Sequence, residues 1–187
     1  MNNIVIPNTI EYIGKRAFMG CDSVVNFTTP FIGSKIDDAE NTRLVYFFGT
    51  VPETLKNVTI TGGEIYESAF SGCSLLTSIT IPTNITSIDA SAFSRCSSLT
   101  SVTWNAKNCS NYATPFYGIR SQITSFILGD SVTHIPDLLC DEMVNLSSIT
   151  IPNSVTTIGN TAFCTCTSLT SINIPNSVTS IGNLAFN

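Results

Sequence analysis

The sequence predicts a repeat solenoid, in which stacked turns of chain each add one short strand to a single parallel sheet of about eight strands. Two observations predict it. The stretch ITIPNSVTTIGNTAFCTCTSLTS, residues 149–171, restarts at once as INIPNSVTSIGNLAF, and the same pattern returns at Ile79 and Ile4. Its spacing is 23 residues, and self-similarity at a fixed period of that size marks a solenoid. One such unit cannot bury its own apolar face, so neighbours must stack to build a continuous core.

The turns start at Ile4, Phe27, Val58, Ile79, Val102, Phe126, Ile149 and Ile172, at intervals of 23, 31, 21, 23, 24, 23 and 23 residues. The whole chain, 1–187, therefore reads as one solenoid with an expanded turn at 27–57. Each first strand places two residues inward with period 2. The first column is the set of turn starts; the second is Ile6, Ile60, Ile81, Trp104, Leu128, Ile151 and Ile174. Pro7, Pro82, Pro152 and Pro175 end their strands, because proline donates no ladder hydrogen bond. A second inward pair, Val155 with Ile158, is echoed by Ile10/Ile13, Ile85/Ile88, Val132/Ile135 and Val178/Ile181, and predicts a second short strand.

Gly14, Gly159 and Gly182 follow, as residues that let the backbone turn. Five Ala-Phe pairs come next, ending at Phe18, Phe70, Phe93, Phe163 and Phe186. They are expected in short helical turns, with the rings stacked on the far side of the core. Leu76, Leu99, Leu146 and Leu169 lead into the next strand.

This pattern, roughly LxxIxIPxxVxxIGxxAFxxCxxLxx, resembles the leucine-rich repeat superfamily, specifically its bacterial surface-protein (BspA-like, Treponema pallidum) type. Five of the eight turns match it well. The resemblance implies a right-handed coil with the parallel sheet on its concave face. It also implies a cell-surface or secreted protein that adheres to host matrix proteins, other cells or glycans.

Composition narrows the partners. The net charge is −5 and only 11% of residues are charged, so the surface is mostly Ser, Thr and Asn. Nucleic acid requires a basic footprint to neutralise phosphates, and anionic membrane disfavours this chain for the same reason. No run approaches the roughly 18 apolar residues of a membrane span. No basic stretch with an apolar region and cleavage site opens the chain. Asn187 falls in mid-turn and neither end carries a polar capping repeat. The expectation is a fragment, or ends covered by something else, with end-to-end self-association as one way of covering them.

Most of the seven cysteines follow the repeat register. Cys21, Cys73, Cys96 and Cys166 share a column that also accepts Met143, which marks it as apolar core. Cys140 replaces the column's Phe. All four column thiols are expected free and buried, and only Cys140 and Cys164 are placed for a bridge. Cys164 and Cys166 form a C-x-C pair, but zinc needs four ligands and no second pair stands at a suitable spacing. His134 shares a solvent-facing strand column with Ser87, Thr157 and Ser180 and no nucleophile sits in an activating motif, so it is expected as an exposed surface histidine rather than a member of a triad. No cofactor motif is present.

Candidate ligand-facing residues lie in two places. Outward strand positions Thr59, Thr80, Thr103, Ile127, Thr150 and Asn173 line the sheet face, and solenoids bind along extended concave faces. Threonine there is also simply a soluble strand former. The second place is the expanded turn, where Asp37, Asp38 and Glu40 cluster without the spacing of a calcium loop. Insertions in solenoids often carry the binding face. That turn is nevertheless apolar, so Phe31, Phe47 and Phe48 are expected to pack on the core and only 34–42 to project. Asp141 and Glu142 are expected on an exposed side.

The leading function is a non-enzymatic binding or adhesion module for a protein, matrix or glycan ligand. The alternatives are a passive spacer, or the repeat segment of a larger surface enzyme whose catalytic domain lies elsewhere.

Overall fold

A computed structural model describes residues 1–36, 41–107, 109 and 114–187. Among them, six short strands form one parallel sheet in chain order: β1 (Asn3–Val5), β2 (Asn26–Thr29), β3 (Asn57–Ile60), β4 (Ser78–Ile81), β5 (Ser101–Trp104) and β6 (Ser125–Leu128). The register aligns Ile4, Phe27, Val58, Ile79, Val102 and Phe126, the first six predicted turn starts, and each is buried. β-branched and aromatic residues suit this ladder because they pack well on a pleated, half-buried surface.

The remaining two strands do not form. Ile149 and Ile172 are only half-buried, and Ile174 is 39% exposed. Hydrogen bonding moves instead to the second inward pair. There β7 (His134–Ile135), β8 (Thr157–Ile158) and β9 (Ser180–Ile181) make a separate three-stranded parallel sheet, with Ile65 bridged to Ile88 earlier in the chain. The change occurs at the turn that carries Phe126 on its strand and Cys140 where other turns carry Phe. A turn bulky at the sheet and small on the opposite wall is wedge-shaped, and the wedge opens the sheet side. A groove of about 220 Å³ between Thr124–Leu128 and Ser148–Thr150 marks the opening. Pro152 and Pro175 then remove one donor from each of the last two turns.

The Ala-Phe segments are not helical. Arg16, Ser68, Ser91, Thr161 and Leu184, each just before the pair, have positive φ, as does Leu138 at the same place before Leu139 and Cys140. A second left-handed residue follows four positions later at Gly20, Gly72, Arg95, Glu142 and Thr165. Two such residues cannot belong to a right-handed helix, so the segment is a chain of tight turns. The one α-helical turn, α1 (Val45–Phe48), belongs to the expanded turn, and a 3-10 turn spans Arg120–Gln122.

The rings stack in two pieces rather than one column. Phe70, Phe93 and Phe116 lie nearly parallel at 4.8 and 5.2 Å, and Phe163 on Phe186 at 5.5 Å. Phe116, in a degenerate turn, was not among the predicted rings, although it follows Phe93 by the common 23 residues. Phe186 is 39% exposed. Phe18 is half-buried and meets Phe27 and Phe47 edge-on instead.

The expanded turn packs as its composition requires. Phe31, Leu44, Phe47, Phe48 and Leu55 are all buried. The Phe18 amide donates to the Phe47 carbonyl, as the Phe70 amide does to Ala92. Phe47 therefore occupies the place that small Ala fills in regular turns, and Phe48 takes the ring position. Lys35 and Ile36 are exposed, while Ser34 is half-buried and accepts from the Ile13 amide. Asp37, Asp38 and Glu40 lie outside the described residues.

Candidate functional site: the outer sheet face

Strand register places Thr28, Thr59, Thr80, Thr103 and Ile127 side by side on the outer face of the six-stranded sheet. The four threonines are half-buried by one another, whereas Ile127 is 53% exposed and Val5, at the other edge, 73%. Thr150 and Asn173, predicted in the same row, are exposed but belong to turns that have left this sheet. The structure thus brings together four of the six predicted sheet positions.

A side-chain ladder flanks the threonines. Asn26 donates its amide to Asn3 at 2.6 Å, Asn57 to Asn26 at 2.7 Å, and the Ser78 hydroxyl to Asn57 at 2.8 Å. These contacts repeat along the solenoid because parallel, in-register strands bring like side chains within hydrogen-bonding reach. Asn3, Asn26, Asn57 and Ser78 thus spend part of their polar capacity on one another. What the face offers a partner is a hydroxyl-rich surface with apolar edges at Val5 and Ile127.

The opposite wall holds what sequence reasoning missed. Arg120 is 9% exposed, and its guanidinium donates to Asp141 at 2.9 Å and to Glu142 at 3.0 Å while lying 5.8 Å from the Tyr117 ring centroid. The Asp141 side chain is 13% exposed, against the expectation of an exposed residue; Glu142, at 61%, meets it. No motif announces this cluster, because its partners stand 21 and 22 residues apart on neighbouring turns.

Burial raises the Asp141 pKa above its ordinary 3.8, and the attraction of Arg120 does not fully offset it. Between those two values the folded state keeps the proton that the unfolded state has released, so stability falls as pH rises through that interval. Asp141→Asn leaves a side chain that does not titrate beside Arg120. It should therefore remove that decline from denaturant midpoints taken between roughly pH 3 and pH 7. A midpoint curve unchanged in shape would contradict this.

All seven cysteines are free thiols, Cys140 and Cys164 included. Cys73, Cys96 and Cys166 are buried as expected, but Cys21 is only half-buried. The Cys96 and Cys166 thiols donate to the carbonyls of Phe70 and Cys140, each at 3.1 Å. A hydrogen bond with Cys96, then burial, pushes the Cys73 thiol far up; burial and then Cys166 raise Cys140; burial lifts Cys166 to about 11. Thiols held protonated are poor nucleophiles and poor metal ligands. His134 is half-buried on β7, with Nδ1 2.6 Å from the Thr157 hydroxyl. Among the described residues no three His, Cys, Asp or Glu side chains group as a metal site.

Stacked parallel turns with a 23-residue register and one-sided core define a leucine-rich-repeat solenoid. The family described as the BspA type leucine-rich repeat region matches residues 1–40 and 63–187 in six copies, and the chain belongs to that family. The unmatched residues fall in and just after the expanded turn. A leucine-rich repeat protein from Eubacterium ventriosum ATCC 27560 is similar in structure, with a TM-score of 0.60 and 22% identity over 99% of this chain. One from Bacteroides ovatus ATCC 8483 has a TM-score of 0.53 and 24% identity over 100% of it. The chain covers 58% and 59% of those two proteins, respectively. No curated protein matches the chain.

Proposed function

We propose that this chain is a non-enzymatic binding module of a cell-surface or secreted protein, which engages a protein or glycan through the outer face of its six-stranded sheet. The carrying observation is that face itself: an in-register row of Thr28, Thr59, Thr80 and Thr103 ending at the exposed Ile127. Extended solenoid faces bind by area and shape, and Ile127 is its one large apolar anchor beside β5. The BspA-type repeat supports the cell-surface reading. End-to-end self-association would use the terminal turns, where Ile174, Ile181 and Phe186 are 39–48% exposed.

One observation favours the spacer reading instead. The face lacks the Tyr, Trp and Arg that dominate binding hot spots, and its Asn ladder satisfies itself. Screening the chain against immobilised matrix proteins and a glycan array decides between them. Capture of a ligand, lost on Thr80→Glu with Ile127→Glu while the circular dichroism is kept, supports the binding module. No capture by either set leaves the spacer, and capture indifferent to both substitutions removes the sheet face as the binding site.

A further inference from the structure

Lys15, Arg16 and Arg43 are three of the chain's eight cationic side chains, and they line one cleft of about 320 Å³. Among the described residues they are the charged side chains that line it. The cleft forms where the first turn meets the expanded one. The Arg16 amide donates to the Tyr46 carbonyl, and the Tyr46 hydroxyl reaches back to the Ile13 carbonyl at 3.3 Å. Arg16 lies across Gly49, whose φ of +77° and missing side chain leave room for the guanidinium stem; a Cβ there would stand 3.6 Å from Arg16 Nε.

All three cations are exposed, and among the described residues none has a carboxylate partner. The ion pairs formed by the described residues belong to Arg120. Like charges held round one concavity repel one another, and a bound anion relieves that repulsion. Guanidinium groups match the flat, two-oxygen geometry of sulfate and carboxylate. Asn41 and Thr42 add neutral hydrogen-bonding groups, and Val45 with the Tyr46 ring adds an apolar wall. The cleft stands at the small end of ligand-binding volumes. It is too local for nucleic acid or a membrane surface, which require a broad basic footprint.

We propose that this cleft is a binding site for an acidic sugar, with Lys15, Arg16 and Arg43 holding its sulfate or carboxylate and Asn41 and Thr42 its hydroxyls. It shares no residue with the sheet face and goes beyond the reading given above. The test is calorimetric titration of the whole chain with a sulfated chondroitin disaccharide, its unsulfated counterpart and inorganic sulfate.

The sulfated sugar should bind, and about 0.5 M salt should weaken it strongly. Lys15→Gln and Arg43→Gln, both exposed and therefore tolerated by the fold, should each lower affinity about tenfold, as loss of a charge-assisted hydrogen bond does. Lys107→Gln, outside the cleft, should leave it unchanged, and so should Thr80→Glu on the sheet face. Thr42→Glu, which puts a negative charge at the mouth, should abolish binding without removing a cation. The proposal is overturned by no binding at roughly millimolar sugar or by equal affinity for the unsulfated sugar. Sulfate ion competing as well as the disaccharide would also overturn it, as would affinity indifferent to the paired Lys15→Gln and Arg43→Gln variant.

Discussion

Phe47→Ala should cost about 3–5 kcal/mol, the range for aromatic truncations in packed cores. Phe47 is fully buried and meets Phe18 at 6.2 Å and Phe27 at 5.6 Å, in a cluster that Phe48 completes. It fills a position built for Ala in regular turns, so the extra length of the expanded turn is matched to it and nothing nearby can collapse into the space. The Phe47 carbonyl also anchors the Phe18 amide, which ties the first turn to the second. Equilibrium urea unfolding measures the loss. A value below about 1 kcal/mol would show that these rings are not core and would reopen the expanded turn as an exposed aromatic surface.

Replacing Gly159 with Ala should destabilise by about 3 kcal/mol, at the upper end for overpacking, because the intruding atom meets backbone that cannot swing aside. A Cβ there would stand 2.5 Å from the Asp137 amide nitrogen and 2.7 Å from the Pro136 carbonyl carbon. Gly182 repeats the arrangement against Asn160 and Gly159, its Cβ position 2.5 Å from the Asn160 nitrogen. Neither needs positive φ, so close approach between turns, rather than turning of the chain, is what excludes a side chain. The Gly159 amide donates to Ile135 and the Gly182 amide to Ile158, so the forced separation also loosens the β7–β8–β9 sheet. Gly14→Ala is the control. It occupies the same repeat position, yet its Cβ would meet only the Tyr12 ring at 4.0 Å. That substitution should be neutral or stabilise by up to about 1 kcal/mol through the unfolded state. Equal effects at 14 and 159 would refute the close-packing account.

Gly14 and Gly159 also show where sequence legibility ends. The two are indistinguishable in the repeat, and only the turn lying against Gly159 separates them. The same holds for the sheet-face residues. The period identified Thr59, Thr80, Thr103 and Ile127 as outward neighbours, since a fixed repeat and strand alternation together set which side chains share a row. It placed Thr150 and Asn173 there too, because no repeat pattern records that Phe126 with Cys140 makes a wedge. Arg120 with Asp141, and Lys15 and Arg16 with Arg43, were invisible for a related reason. Their partners come from neighbouring turns at spacings that the periodic core does not constrain.

By itself the sequence determined the solenoid, its 23-residue register, the buried columns as far as the sixth strand and the family, because burying an apolar face repeated every turn admits one kind of stacking. It also determined that most of the expanded turn's apolar residues must be buried, as Phe31, Leu44, Phe47, Phe48 and Leu55 are. The tertiary structure alone decided where the first sheet stops and the second begins, which glycines tolerate no side chain, and which charges meet. Those outcomes depend on the thickness of each turn relative to the next, summed along the stack, and on contacts between turns that are independent of the repeat.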